Sequence, residues 1–180
     1  MEGNITPNFT WKEVLASDTA DKLVREGKLT REQTLPNEEQ RKNIQFLFDK
    51  VIQPIRIAYG KPLKINSVFR APAVNELIGG AKKSDHMCAG GTAACDFEPT
   101  DASLGEDFAE WVWKNRKSYP IKQYIAEFPD ASGCPQWVHI SCDRLDPTPD
   151  YKMMIAVKEN GATVYKDATP EVAKRYGIDL

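Results

Sequence analysis

The chain has 180 residues, 41% of them apolar and 28% charged, which suits one folded domain able to bury a core of its own. A formal net charge of -2 argues against a broad basic surface for nucleic acid, and no apolar run approaches the length of a membrane span. The opening Met1-Glu2-Gly3-Asn4 has neither a basic start nor an apolar core, so the expectation is a protein made in the cytoplasm without a signal peptide of the usual build.

Residues 1–36 read as a lead-in segment of one domain spanning 1–180. Phe9 to Leu15 supplies apolar anchors, Ser17-Asp18-Thr19 is suited to cap a short helix over 19–26, and Gly27 to Pro36 reads as a loop. The strongest helix begins at Asn37, which with Gln40 forms a capping box. Ile44, Leu47, Phe48, Val51, Ile52 and Ile55 then recur at helical spacing as one apolar stripe. Pro54 is expected to kink this helix and Gly60 to stop it.

Leu63 to Phe69 alternates like a half-buried strand, Pro72 ends it, and a short helix over 73–78 precedes Gly79-Gly80. Residues 81–99 read as an irregular loop and strand. Ser103 and Glu106 suggest a second capping box for a helix to about Lys117, with Phe108, Trp111 and Val112 on its inner face. Two hairpins follow: Lys122–Phe128 with Gln136–Cys142, then Tyr151–Val157 with Ala162–Tyr165 joined through Asn160-Gly161. Thr169-Pro170-Glu171 opens a last short helix. Helices first and mainly antiparallel strands later predict an α+β fold, with a small antiparallel sheet carrying the chemistry against several helices.

The chain has two histidines, and each stands among residues suited to a site. Ser84-Asp85-His86 leads through a Gly-rich turn to Ala93-Ala94-Cys95-Asp96, and Trp137-Val138-His139 lies in a predicted strand. Two imidazoles and a carboxylate are a catalytic zinc set that leaves a fourth position for water. On spacing alone, an ordinary His–Asp pair is an equal reading.

The segment Ile65-Asn66-Ser67-Val68-Phe69-Arg70-Ala71-Pro72-Ala73-Val74-Asn75 resembles the entry strand of the zinc D-alanyl-D-alanine carboxypeptidase family, which includes phage L-alanyl-D-glutamate endopeptidases and is related to the hedgehog-type zinc fold. Ser84-Asp85-His86, Ala94-Cys95-Asp96 and Trp137-Val138-His139 resemble its metal motifs. The resemblance implies one zinc ion held by His86, Asp96 and His139. It also implies a substrate-binding Arg70, whose fork suits a carboxylate or carbonyl, and a substrate-orienting Ser84. A surface ion pair for Arg70 and a loop-capping hydroxyl for Ser84 are the plain alternatives.

Two departures from the family pattern stand out. Three more residues separate His86 from Asp96, and Gly90-Gly91 is expected to let them bulge outward, with a Cys88–Cys95 disulfide as one way to pinch the bulge. Otherwise Cys88, Cys95, Cys134 and Cys142 read as free or buried thiols, since none forms a Cys-x-x-Cys pair. The family's general base commonly stands three residues before the last histidine, and Gln136 occupies that position. Gln takes no proton at neutral pH, so Glu127 at the end of the paired strand is the expected base, with Asp130 in the turn a weaker candidate. Trp137, on a strand, is expected to pack in the core.

The function expected is zinc-dependent hydrolysis of peptidoglycan stem peptides, of the D,D-carboxypeptidase or L-Ala–D-Glu endopeptidase type, by a monomer resembling a phage lysis enzyme that reaches the wall after phage-mediated release. The alternative is a non-catalytic zinc-binding wall or virion module of the same fold.

Overall fold

The computed structural model describes residues 3–175. The lead-in forms a two-stranded ribbon, β1 (Asn4–Thr6) and β2 (Phe9–Thr10), followed by α1 (Trp11–Val14) and α2 (Asp18–Arg25). Thr10 and Glu13 close a capping box on α1, and the Ser17 hydroxyl accepts from the Ala20 N–H at the start of α2.

The long helical stripe folds as three consecutive pieces. α3 (Glu38–Leu47) starts with the expected box: Asn37 Oδ1 accepts from Gln40 N at 2.9 Å, and Gln40 Oε1 accepts from Asn37 N at 2.8 Å. A π turn, Phe48–Ile52, separates it from α4 (Gln53–Tyr59). Pro54 has no N–H to continue the ladder, and the wider turn, in which Gln53 N–H reaches Phe48 O, absorbs it. Gly60 ends α4 in the left-handed conformation. Ile44, Leu47, Phe48, Val51, Ile52 and Ile55 are all fully buried, each contributing about 1.5–3 kcal/mol of apolar burial.

The remaining elements are β3 (Leu63–Ser67), α5 (Pro72–Leu77), β4 (Thr92–Pro99), α6 (Gly105–Asn115), β5 (Gln123–Glu127), β6 (Trp137–Asp143), β7 (Lys152–Glu159), β8 (Ala162–Asp167) and α7 (Pro170–Arg175). Among the described residues six strands form one sheet in the order β3-β4-β6-β5-β7-β8. The α+β arrangement is as expected. The sheet also carries one parallel pair, β5 with β7, which places the second hairpin beside the first.

The sheet has two unlike faces. Phe97, Val138, Ile140 and Tyr124 point into the core against α3 and α6, and Phe97 meets Phe108 edge to face at 5.4 Å. Asp96, His139 and Ile125 lie opposite one another in register and therefore share the other face.

The second capping box does not form as expected. The Asp101 carboxylate accepts from both the Ser103 N–H and the Ser103 hydroxyl, so residues 102–104 make a 3-10 turn and α6 begins after it. The Asn160-Gly161 connection is as expected: both residues have positive φ, 51° and 82°, matching the twist of a two-residue hairpin.

Candidate metal centre

Asp96 occupies the middle of β4, opposite Ser67 of β3 on one side and His139 of β6 on the other. His86 reaches the same point from a 3-10 turn, Asp85–Met87, outside the sheet. Two contacts fix that turn. The Arg70 N–H donates to His86 O at 2.8 Å, and His86 Nδ1 donates to Val68 O at 2.9 Å. Because a carbonyl only accepts, the proton sits on Nδ1 and the Nε2 lone pair is left facing the cluster.

Three candidate ligand atoms then converge. His139 Nδ1 lies 2.8 Å from Asp96 Oδ1, His86 Nε2 lies 3.2 Å from His139 Nδ1, and His86 Nε2 lies 3.3 Å from Asp96 Oδ1. All three residues are buried, and their ligand atoms lie within 4.8 Å of one another. Ligand atoms at about 2.0–2.1 Å from a tetrahedral zinc stand roughly 3.3 Å apart, so the triangle has the size such an ion needs. Two imidazole nitrogens and a carboxylate oxygen facing one another in a buried site also call for a shared cation.

The electrostatics agree. Burial works against the charge on Asp96, but the two imidazoles outweigh it and hold the carboxyl well below its usual range. Burial likewise opposes charge on His86, and Asp96 and the Val68 carbonyl override it, raising the imidazole.

Glu127 ends β5, paired with Trp137, and so stands one row from His139 on the same face. It is 7% exposed. Burial, then the charge of Asp96, pushes its carboxyl up to about 7, against the pull of His86, the Trp137 indole N–H and Arg70. That indole N–H lies buried and closes no hydrogen bond of normal geometry among the described residues. Gln136 is exposed, and its N–H donates to Glu127 O at 2.9 Å. Asp130 is tied up in the turn, accepting from Ser132 N, Ser132 Oγ and Cys134 N.

Arg70 is half-buried, its Nη1 3.5 Å from Asn75 Oδ1, and it lines a cavity of about 270 Å³ with Ser67, Asn66, Ser17 and Asp18. Ser84 precedes the His86 turn, and its hydroxyl makes no hydrogen bond to a described residue. A larger cavity of about 1080 Å³ opens at the turn between β5 and β6, lined by Phe128, Gln136 and Trp137 but by none of the three candidate ligands. Trp137 lines it, half-buried, with Phe128 edge to face at 5.4 Å, so this indole belongs to a groove wall rather than to the core.

The longer stretch between His86 and Asp96 is held by side chains to which the sequence assigned no part there. Gln40 Nε2 donates to Met87 O and Asn43 Nδ2 to Cys88 O, while Arg144 Nε donates to Asn43 Oδ1. Only Ala89 and Gly90 project outward; Cys88 turns inward with φ 54° and is fully buried. Gly91 has φ 95°, and a Cβ there would lie 2.5 Å from Asp143 Oδ1.

All four cysteines are free thiols, in line with the plain reading, and the Cys88–Cys95 disulfide offered as a way to pinch the bulge is absent. Cys95 alternates with Asp96 along β4 and so points into the core, and burial pushes the Cys88 thiol up to about 12. Tyr165 of β8 is a further neighbour of the site. Its phenol is raised by burial, then by the charges of Glu127 and Asp96, with Arg70 opposing. The sequence paired the strand of Tyr165 with Tyr151–Val157 but did not bring that hairpin alongside Glu127.

No helix among the described residues is long and apolar enough to cross a membrane. The sequence model of the family described as Peptidase M15 matches residues 19–141, a stretch that holds Arg70, Ser84, His86, Asp96, Glu127 and His139. No curated protein matches the chain.

Proposed function

Because the chain belongs to the peptidase M15 family, we propose that it is a zinc-dependent peptidase acting on peptidoglycan stem peptides. The observation that carries this reading is the buried convergence of His86 Nε2, Asp96 Oδ1 and His139 Nδ1, with a carboxyl raised to about 7 one row away. These three atoms would hold one zinc ion per chain. When bound, zinc supplies a Lewis acid that polarises the scissile carbonyl and makes a water acidic near neutral pH.

The protein's own groups do the rest. Glu127 takes a proton from the attacking water as its oxygen bonds to the carbonyl carbon, and returns that proton to the leaving amine nitrogen as the C–N bond breaks. Burial raises this carboxyl and the cation pulls it back down, and a carboxyl between those opposing effects suits both transfers. Arg70, at the rim of the smaller cavity, binds a substrate carboxylate or carbonyl with its planar fork. The Ser84 hydroxyl donates to the substrate backbone. Trp137 and Phe128 wall the larger groove in which the peptide continues.

The wall-peptide substrate, the L-Ala–D-Glu or D-Ala–D-Ala bond, and action at the wall after phage-mediated release are supported by the motif resemblance to phage endopeptidases and carboxypeptidases. Zymography on purified cell wall, with and without chelator, tests the reading. Clearing that chelator abolishes and zinc restores is expected. Stoichiometric zinc with no clearing favours a non-catalytic module, for which Gln136 at the usual position of the base is the supporting observation.

A further inference from the structure

The hairpin of β7 and β8 lies beyond the stretch that matches the peptidase family, yet it widens the sheet face that carries the metal cluster. The register is explicit. Glu127 lies opposite Ala156 of β7, and Ala156 lies opposite Tyr165 of β8. The three side chains therefore share one face and one cross-strand row, spanning roughly 10 Å from Glu127 to Tyr165 at the usual strand spacing. The residue between them presents only a methyl group, so nothing bulky on β7 separates the phenol from the carboxylate.

Tyr165 is unusual for its place. It is 52% exposed, and its hydroxyl makes no hydrogen bond to a described residue. Arg70 follows β3 at one edge of the sheet and Tyr165 stands on β8 at the other, yet the phenol oxygen feels the charges of Arg70, Asp96 and Glu127 together. Strand alternation puts the side chain on the face that carries Glu127 and His139, and the raised phenol keeps its proton at neutral pH.

We propose that Tyr165 is a catalytic residue supplied by the C-terminal hairpin, donating its O–H to the scissile carbonyl oxygen and strengthening that bond as the oxygen gains charge. This rests on the peptidase reading above. The chemistry favours a donor over a base, because the phenol is neutral where the reaction runs and the base is already Glu127. Arg70 at the opposite edge grips the substrate away from the reacting bond, so the two groups address different atoms.

The test is Tyr165→Phe in the zinc-loaded full chain, compared with wild type on soluble muropeptides and on phosphinic analogues of the L-Ala–D-Glu and D-Ala–D-Ala bonds. A donor aimed at a developing oxyanion, in a site partly open to water, is worth about 10–100-fold. That factor is expected in kcat with KM little changed. A matching loss of affinity for the phosphinate is expected, with zinc content and thermal midpoint unaltered. A variant that cleaves within twofold of wild type and binds the phosphinate as tightly overturns the inference alone, as does a loss confined to KM. A wild-type protein that neither cleaves nor binds the phosphinate overturns the peptidase reading, and this inference with it.

Discussion

The Gln136 N–H donates to the carbonyl oxygen of Glu127 at 2.9 Å. The position three residues before His139 and the last residue of β5 are thus neighbours across one hairpin. A carboxylate missing from the first is available from the second, on the face that carries His139.

This relationship predicts the outcome of Glu127→Gln. The amide keeps the shape but carries no proton to neutral pH and back, so kcat is expected to fall by about 10²–10⁴-fold while zinc stays bound. Steady-state kinetics with metal analysis of the same sample checks it, and full activity in the variant moves the base elsewhere.

A second prediction concerns pH. In the metal-free protein Glu127 keeps its proton up to about 7, whereas an unfolded chain releases it near 4.5. Between those values the native state holds the extra proton, so metal-free stability falls as pH rises, by up to about 3 kcal/mol from this group. The raised imidazole of His86 acts in the same direction at higher pH, and the lowered Asp96 acts only below its ordinary value of 3.8. Comparison of wild type with Glu127→Gln by chemical denaturation isolates the carboxyl: the variant gains on wild type from pH 5 to 8 and not below 4.5. In the zinc enzyme the cation lowers the same carboxyl, so kcat/KM is expected to rise with pH to a limb at or below 7.

A third prediction concerns the loop before Asp96. Asn43→Ala strips the donor from the buried Cys88 carbonyl and the acceptor from Arg144. A loss of about 1–3 kcal/mol in stability is expected. Because His86 stands two residues before Cys88, zinc affinity is expected to fall by about 10–100-fold as well. Denaturation and competitive zinc titration measure the two effects, and an unchanged zinc affinity shows that the loop does not hold His86.

Much of this architecture was legible in the sequence because its signals are local. The Asn37–Gln40 box, the stripe from Ile44 to Ile55 and the Asn160-Gly161 turn each encode their own geometry within a few residues. Asp96 and His139 come together because β4 and β6 pair antiparallel, and His86 joins them from a turn tied to Val68 O and the Arg70 N–H. What stayed hidden depends on partners distant in sequence. Nothing in the alternation of Lys152–Glu159 says that it pairs in parallel with β5, so Tyr165 could not be placed beside Glu127. Asp101 outcompeting Ser103 as a cap, and Cys95 facing the core rather than the loop, are likewise settled by neighbours and strand parity.

His86, Asp96 and His139 are proposed to hold a zinc ion that this chain uses to cut wall peptides. Mass spectrometry of purified peptidoglycan, after incubation with zinc-loaded protein and with an Asp96→Asn variant, tests it most directly. New peptide termini at one stem-peptide bond are expected with the wild type, none after chelation, and none with the variant, which no longer retains zinc. Intact stem peptides after incubation with fully zinc-loaded wild type, or cleavage that persists in Asp96→Asn, contradict it.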